Sequence, residues 1–294
     1  MIASYRVRES ARTGLIFTMT WLVVLIAVFP LFWALSTSLR DNQEIISNTP
    51  TILPNEFTLS NYGTMLSLSN FPQQFSNSSI IAVGSSLSVV FFGSLGAYSL
   101  TRFRFRGQGL SLRVVLLTYL FPAVLLVVPM FIILRNLKLT DSYTALIIVH
   151  TATGLPLGLW LLRAYFQSIP IELDQAAMID GASRLETLFD VLLPQAIPGM
   201  ISIFIFIFVF SWGDYLWPLI LITSRSQMTL PLGLHTYMND MGFEWGPLMA
   251  ATVVFALPVV LLFTFVQSRL VRGLGAGAGA GLGLFRLTRD SSPW

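Results

Sequence analysis

Residues 168–194 read SIPIELDQAAMIDGASRLETLFDVLLP, an amphipathic stretch set between two long apolar runs. Pro170 suits the first turn of a helix, where its missing N–H costs nothing. Glu172 and Asp174 follow in the turn where the helix dipole favours negative charge, and Leu173, Ala176 and Ala177 fall on one face at helical spacing. Gly181 breaks this first helix. Ser183-Arg184-Leu185-Glu186 then opens a second with a capping box, in which serine and glutamate satisfy each other's orphan N–H groups. Leu185, Phe189 and Leu192 give the second helix an apolar stripe, and Pro194 marks its predicted end. Two short helices at a sharp angle make a compact knob suited to a cleft on a partner. The same pattern also suits a folded loop with no partner.

The flanking runs decide the fold class. Crossing roughly 30 Å of hydrocarbon takes about 20 mostly apolar residues in a helix. Six segments qualify, at about 14–38, 78–101, 112–134, 143–166, 196–222 and 247–271. The fourth is interrupted by His150, Thr151, Thr153 and Pro156, which membrane helices tolerate where neighbours or a wet path satisfy the backbone. Composition agrees: the chain is 54% hydrophobic and only 11% charged, against about 25% charged in soluble domains. Its mean hydropathy is +0.74. The expectation is an all-α integral membrane protein with six transmembrane helices over residues 1–272 and a flexible Gly/Ala-rich tail over 273–294. The first run is too long for a cleaved leader and is read as a retained span.

Arginine placement sets the orientation. One side receives Arg6, Arg8 and Arg12, then Arg102, Arg104, Arg106 and Arg113, then Arg163 and Arg184, then Arg269, Arg272, Arg286 and Arg289. The other receives Arg40, Arg135, Lys138 and Arg225. The positive-inside rule places both termini and segment 167–195 in the cytoplasm. Stretch 40–77, with a short helix expected near Ser60–Leu68, then lies outside. Arg102, Arg104 and Arg106 alternate with Phe103 and Phe105 at the end of an apolar span, which points to a lipid-headgroup anchor rather than a nucleic-acid patch.

Several chemistries are excluded or unsupported. With no cysteine there is no disulfide, thiolate metal site or cysteine nucleophile. Lys138 is the only lysine, and its neighbourhood lacks the glycines of a phosphate-binding loop, so the chain does not hydrolyse ATP by that route. His150 and His235 lie far apart without metal-ligand spacing or adjacent carboxylates. His150, within span four, is expected to be buried and hydrogen-bonded rather than a solute contact, and His235 to lie in an outer loop. Asp214, late in span five, either pairs with a loop residue at the interface or lines a path. Trp212 and Trp217 are read as an interfacial aromatic belt. Gly154 and Pro156 permit a bend in span four. A secondary transporter would carry more buried charge for ion coupling, and a membrane enzyme would need a nucleophile–base pair or metal cluster.

Gln175-Ala176-Ala177, then Gly181, then Val191-Leu192-Leu193-Pro194 resembles the EAA motif of binding-protein-dependent ABC importer permeases: Glu-Ala-Ala, three residues, Gly, nine residues, Ile-x-Leu-Pro. GAYSLTRFRFRG at 96–107, GLWLLRAYFQSIP at 158–170, WGDYLWPLI at 212–220, TLPLGL at 229–234 and WGPLMAA at 245–251 are similar to the maltose-type sugar branch. The resemblance implies a type I importer permease in the cell inner membrane, pairing with a second, different permease subunit to form a path for a sugar or sugar-like solute. It implies two copies of a cytoplasmic subunit that bind ATP and Mg, none being bound by this chain, and an extracytoplasmic solute-binding protein or lipoprotein. The knob would dock on the ATPase through Asp174, Gln175, Ala176, Ala177, Asp180, Gly181 and Pro194. Gly154, Pro156 and Asp214 would belong to the path. Gln175 stands where the family has glutamate, with Asp174 beside it as an alternative carboxylate.

Overall fold

The computed structural model describes residues 2–47, 51–68, 70–240 and 244–265; the predicted tail 273–294 and Arg269, Arg272, Arg286 and Arg289 lie outside them. In chain order the helices are α1 (Ile2–Ser38), α2 (Asn42–Ile45), α3 (Ser60–Leu68), α4 (Phe71–Arg102), α5 (Gln108–Tyr119), α6 (Ala123–Asn136), α7 (Tyr143–Ser168), α8 (Ile171–Ile179), α9 (Arg184–Glu186), α10 (Leu193–Trp212), α11 (Leu216–Leu221), α12 (Leu230–Asp240) and α13 (Trp245–Phe265). A π-helical segment, Thr187–Leu192, joins α9 to α10. Among the described residues five helices are long and apolar enough to cross a membrane: Arg12–Ser38, Phe71–Arg102, Tyr143–Ser168, Arg184–Trp212 and Trp245–Phe265.

The third predicted span differs in build. In place of one helix over 112–134 there are two, α5 and α6, parted at Leu120–Pro122. Pro122 has no N–H to continue the ladder and its ring disfavours helical geometry at Phe121, so α5 ends before it. At 1.5 Å per residue α5 is about 18 Å long and the apolar α6 about 21 Å, so neither crosses a bilayer by itself.

Two units make up the chain. In the unit formed by Met1–Phe71 and Leu234–Leu257, the apolar window of α1 is exposed throughout. Past its end, buried Arg40 donates to Ser36 Oγ (3.0 Å) and the Thr51 carbonyl, with its guanidinium 5.2 Å from the Trp33 ring centroid. The Asn61 amide on α3 donates to the carbonyls of Ser38 (3.0 Å) and Arg40 (2.7 Å), which ties α3, predicted near these residues, to the end of α1.

The unit formed by Pro72–Gly233 and Pro258–Trp294 holds the main core. Val89 and Tyr98 of α4, Leu162 and Phe166 of α7, and Leu192 and Ile203 around α10 form one buried cluster; Ile81, Leu134, Leu146, Val149, Trp217 and Leu221 form another. Close approach of the helices depends on small residues. A Cβ at Gly158 would stand 2.5 Å from Val89 Cγ1, and one at Gly154 would stand 2.8 Å from Ile207 Cδ1.

The tryptophans of span five do not form the predicted belt. Trp212 and Trp217 are each 1% exposed. Trp212 stacks on Phe208 at 5.5 Å and meets Phe75 edge-on at 5.2 Å, so their large apolar area seals the bundle instead of facing headgroups.

Candidate functional site

Segment 167–195 is built largely as its pattern dictates. Pro170 directly precedes α8, and Glu172 and Asp174 lie in its first turn. Asp180 caps the other end, and Gly181 follows at φ +91°, the left-handed backbone that favours glycine. The capping box forms: the Ser183 N–H donates to Glu186 Oε2 (2.6 Å) and the Glu186 N–H to Ser183 Oγ (3.3 Å). The serine's side chain and N–H hold the Glu186 carboxyl below the ordinary glutamate value.

Two expectations fail here. Pro194 does not end a helix, because the chain stays helical from Arg184 to Trp212. Proline removes the donor that would reach residue 190 and crowds that carbonyl. The π turn ahead of it bonds across five residues instead of four and absorbs the misfit locally. The predicted stripe of Leu185, Phe189 and Leu192 also divides: Leu192 is buried, as is Leu188, while Leu185 and Phe189 are 64% and 47% exposed. With exposed Met178 and Ile179 they leave apolar side chains uncovered on both sides of Gly181. Gln175, Ala176 and Asp180 are exposed and Ala177 half-buried.

Asp174 faces the other way. It is buried, with its Oδ2 accepting from Arg102 Nε at 2.9 Å. Arg102 Nη2 also donates to the Ile169 carbonyl at 2.9 Å. Arg102 is therefore no headgroup anchor; its side chain is 8% exposed, because a carboxylate and a carbonyl take the place of water. Arg104 and Arg106 are exposed. Beyond Gly181, the Tyr98 hydroxyl donates to the Arg184 carbonyl (3.1 Å), and the Arg184 guanidinium lies 4.9 Å from the Phe103 ring centroid.

A second polar group lies between α7 and the end of α10. His150 is fully buried, as expected, but it does have a carboxylate partner. Its Nε2 is 3.1 Å from Asp214 Oδ2 and its Nδ1 is 2.7 Å from Ser211 Oγ. Asp214 also accepts the Trp217 N–H at 3.1 Å, so it caps α11 across the break at Gly213–Tyr215. The structure thus joins Asp214 to span four rather than to an interfacial loop. Gly154 sits one turn beyond His150 and is packed on Ile207, with Pro156 buried nearby. Ser211 lies in the last turn of α10 and Asp214 in the break just past it; nothing local in the sequence singled out His150 as their mate. His235 lies on α12.

Asp141 holds the loop after α11. It accepts the N–H groups of Thr223 and Ser224 at 2.9 Å each and the Ser224 hydroxyl, which lowers its pKa, the serine's side-chain hydrogen bond first. Among the described residues no group of His, Asp and Glu is arranged to hold a metal ion.

Residues 89–275 match the model of the family described as "Binding-protein-dependent transport system inner membrane component". The chain is 40% identical over 257 residues to the inner membrane ABC transporter permease protein YcjP of Escherichia coli (strain K12), covering 87% of this chain and 92% of that protein. It is 36% identical over 249 residues to the sulfoquinovosyl glycerol transport system permease protein SmoH of Agrobacterium fabrum, covering 85% and 87%. In fold it resembles a chain of a bacterial ABC transporter involved in import of the acidic polysaccharide alginate, with a TM-score of 0.78 and 24% identity over 89% of this chain and 97% of that one. With spans, segment 167–195 and relatives in agreement, the chain belongs to the family of inner membrane permease components of binding-protein-dependent ABC transporters.

Proposed function

We propose that this permease forms half of the path for a sugar or sugar-like solute, working by alternating access with a second, different permease subunit. Segment 167–195 is the coupling element, seated in a cleft on one of two cytoplasmic ATPase copies that bind ATP and Mg. The chain itself catalyses no hydrolysis, and an extracytoplasmic binding protein or lipoprotein delivers the solute. The observation that carries this reading is the uncovered apolar group Met178, Ile179, Leu185 and Phe189 around the Gly181 turn, where an exposed patch marks an interaction surface. Exposed Gln175 hydrogen-bonds the ATPase where the family's glutamate would form an ion pair, and Ala176, Ala177 and Asp180 lie on the same element.

The sugar assignment is supported by the resemblance of the segments quoted above to the maltose-type branch and by the sulfoquinovosyl glycerol system of one relative. Asp214 offers the path a carboxylate beside the break in span five, while Gly154 and Pro156 seat span four against it. Phe189→Asp and Ala177→Trp test the coupling surface. Both variants should reach the membrane at normal level, yet retain less than a tenth of the co-purifying ATPase. Wild-type ATPase recovery with both would overturn the docking assignment.

A further inference from the structure

We propose that Arg102 and Asp174 are positioning residues that fasten the coupling segment to the end of α4, so that displacement of the segment is carried along that helix. The proposal rests on the reading of segment 167–195 as the ATPase-coupling element. It removes Asp174 from the surface offered to the ATPase.

The geometry separates the two roles. A docking carboxylate must be reachable, and Asp174 is 4% exposed while Glu172, Gln175 and Asp180 around it are exposed. Its Oδ2 is held by Arg102 Nε, and the same guanidinium grips the Ile169 carbonyl just ahead of α8. A planar fork that holds two acceptors at once fixes direction as well as distance. On the far side of Gly181, Tyr98 and Phe103 hold Arg184 through its carbonyl and its guanidinium. Both arms of the turn are thus tied to the stretch Tyr98–Phe103. Asp174 Oδ1 is buried without a partner, so loss of Arg102 would leave a whole carboxylate unpaired away from water, the costly outcome for a buried pair.

The opposite end of α4 is tied as well. The Asn77 amide donates to the carbonyls of Ser226 (2.9 Å) and Met228 (2.8 Å), and Ser78 Oγ accepts the Leu230 N–H at 2.8 Å. One 32-residue helix therefore has the coupling segment attached at one end and the 226–230 loop at the other.

The chain has no cysteine, so Ser226→Cys, at an exposed position in the loop, places a single reporter thiol in it. The complete importer, reconstituted in nanodiscs, is labelled with a membrane-impermeant maleimide before and after trapping with Mg-ATP and vanadate, and labelling is read on this chain alone. ATPase recovery is measured in parallel, with Phe189→Asp as the docking control.

Trapping should change the labelling rate at least three-fold in the otherwise wild-type complex. Arg102→Gln and Asp174→Asn should keep normal ATPase recovery but lose most of that change. Arg102→Lys, which keeps the charge without the fork, should fall between. Arg102→Glu combined with Asp174→Arg remakes the ion pair but not the donation to the Ile169 carbonyl, so it should restore part of the response, which a mere folding defect would not. The proposal is overturned if trapping leaves Ser226→Cys labelling unchanged in the parent, if the single variants respond fully, or if they lose ATPase as Phe189→Asp does. Normal ATPase recovery with Phe189→Asp would instead remove the coupling reading on which the proposal stands.

Discussion

Replacing Gly181 separates backbone strain from steric fit at the coupling turn. Gly181 sits at φ +91°, and a Cβ built on it meets no atom within 4 Å. Within this chain a side chain there costs only what the left-handed conformation imposes, about 1–2 kcal/mol for an ordinary L-residue. That is roughly a 5- to 30-fold change in the population of the turn. Asparagine visits positive φ far more readily than alanine, whereas a β-branched residue is worst placed. Affinity for the ATPase subunit, measured by titrating it onto the nanodisc-embedded permease pair, should therefore fall in the order Gly, Asn, Ala, Val. The span between Gly and Ala should be about one order of magnitude. A rank by size, with Asn weaker than Ala, would refute this reasoning. It would mean that the partner needs empty space at this α-carbon and that the turn's conformation is secondary.

Gly158→Ala should cost about 1–3 kcal/mol by overpacking, since the new methyl would stand 2.5 Å from Val89 Cγ1. The fall in melting temperature in detergent should be recovered by adding Val89→Ala, and no fall in the single variant would contradict the close approach of α4 and α7. Asp141 has a folded pKa below its ordinary 3.8, so its hold on the loop is complete above that value and is lost as pH falls through the lower, folded value. Hydrogen exchange at Thr223 and Ser224 should be faster in Asp141→Asn at neutral pH, and wild type and variant should converge only in acid below pH 3.8. Convergence already near neutrality would dismiss the carboxylate clamp.

Features set by local pattern were legible in the sequence. The capping box at Ser183–Glu186, the glycine turn at 181, the short helix Ser60–Leu68 and the long apolar helices each need only a few neighbouring residues to be specified. Features that needed a distant partner were not. Arg102 reads as a headgroup anchor until Asp174, 72 residues away, is seen to receive it. Asp214 and His150 look solitary because 64 residues separate them. Trp212 and Trp217 carry the composition of a belt, and only the packing of Phe75, Phe208 and the facing helices decides that they point inward. Pro194 misleads for another reason: a proline predicts a helix end unless the turn before it widens, and the width of a turn has no simple sequence sign.

The widened turn at 187–192 also shifts angular phase. Ahead of it, and within it, Leu185 and Phe189 look outward; Leu188 and Leu192 already belong to the membrane bundle. A uniform helix would have to aim one stripe at both audiences. Outward and inward side chains instead alternate through this turn, so one continuous helix serves the outward contact and the bundle interior together.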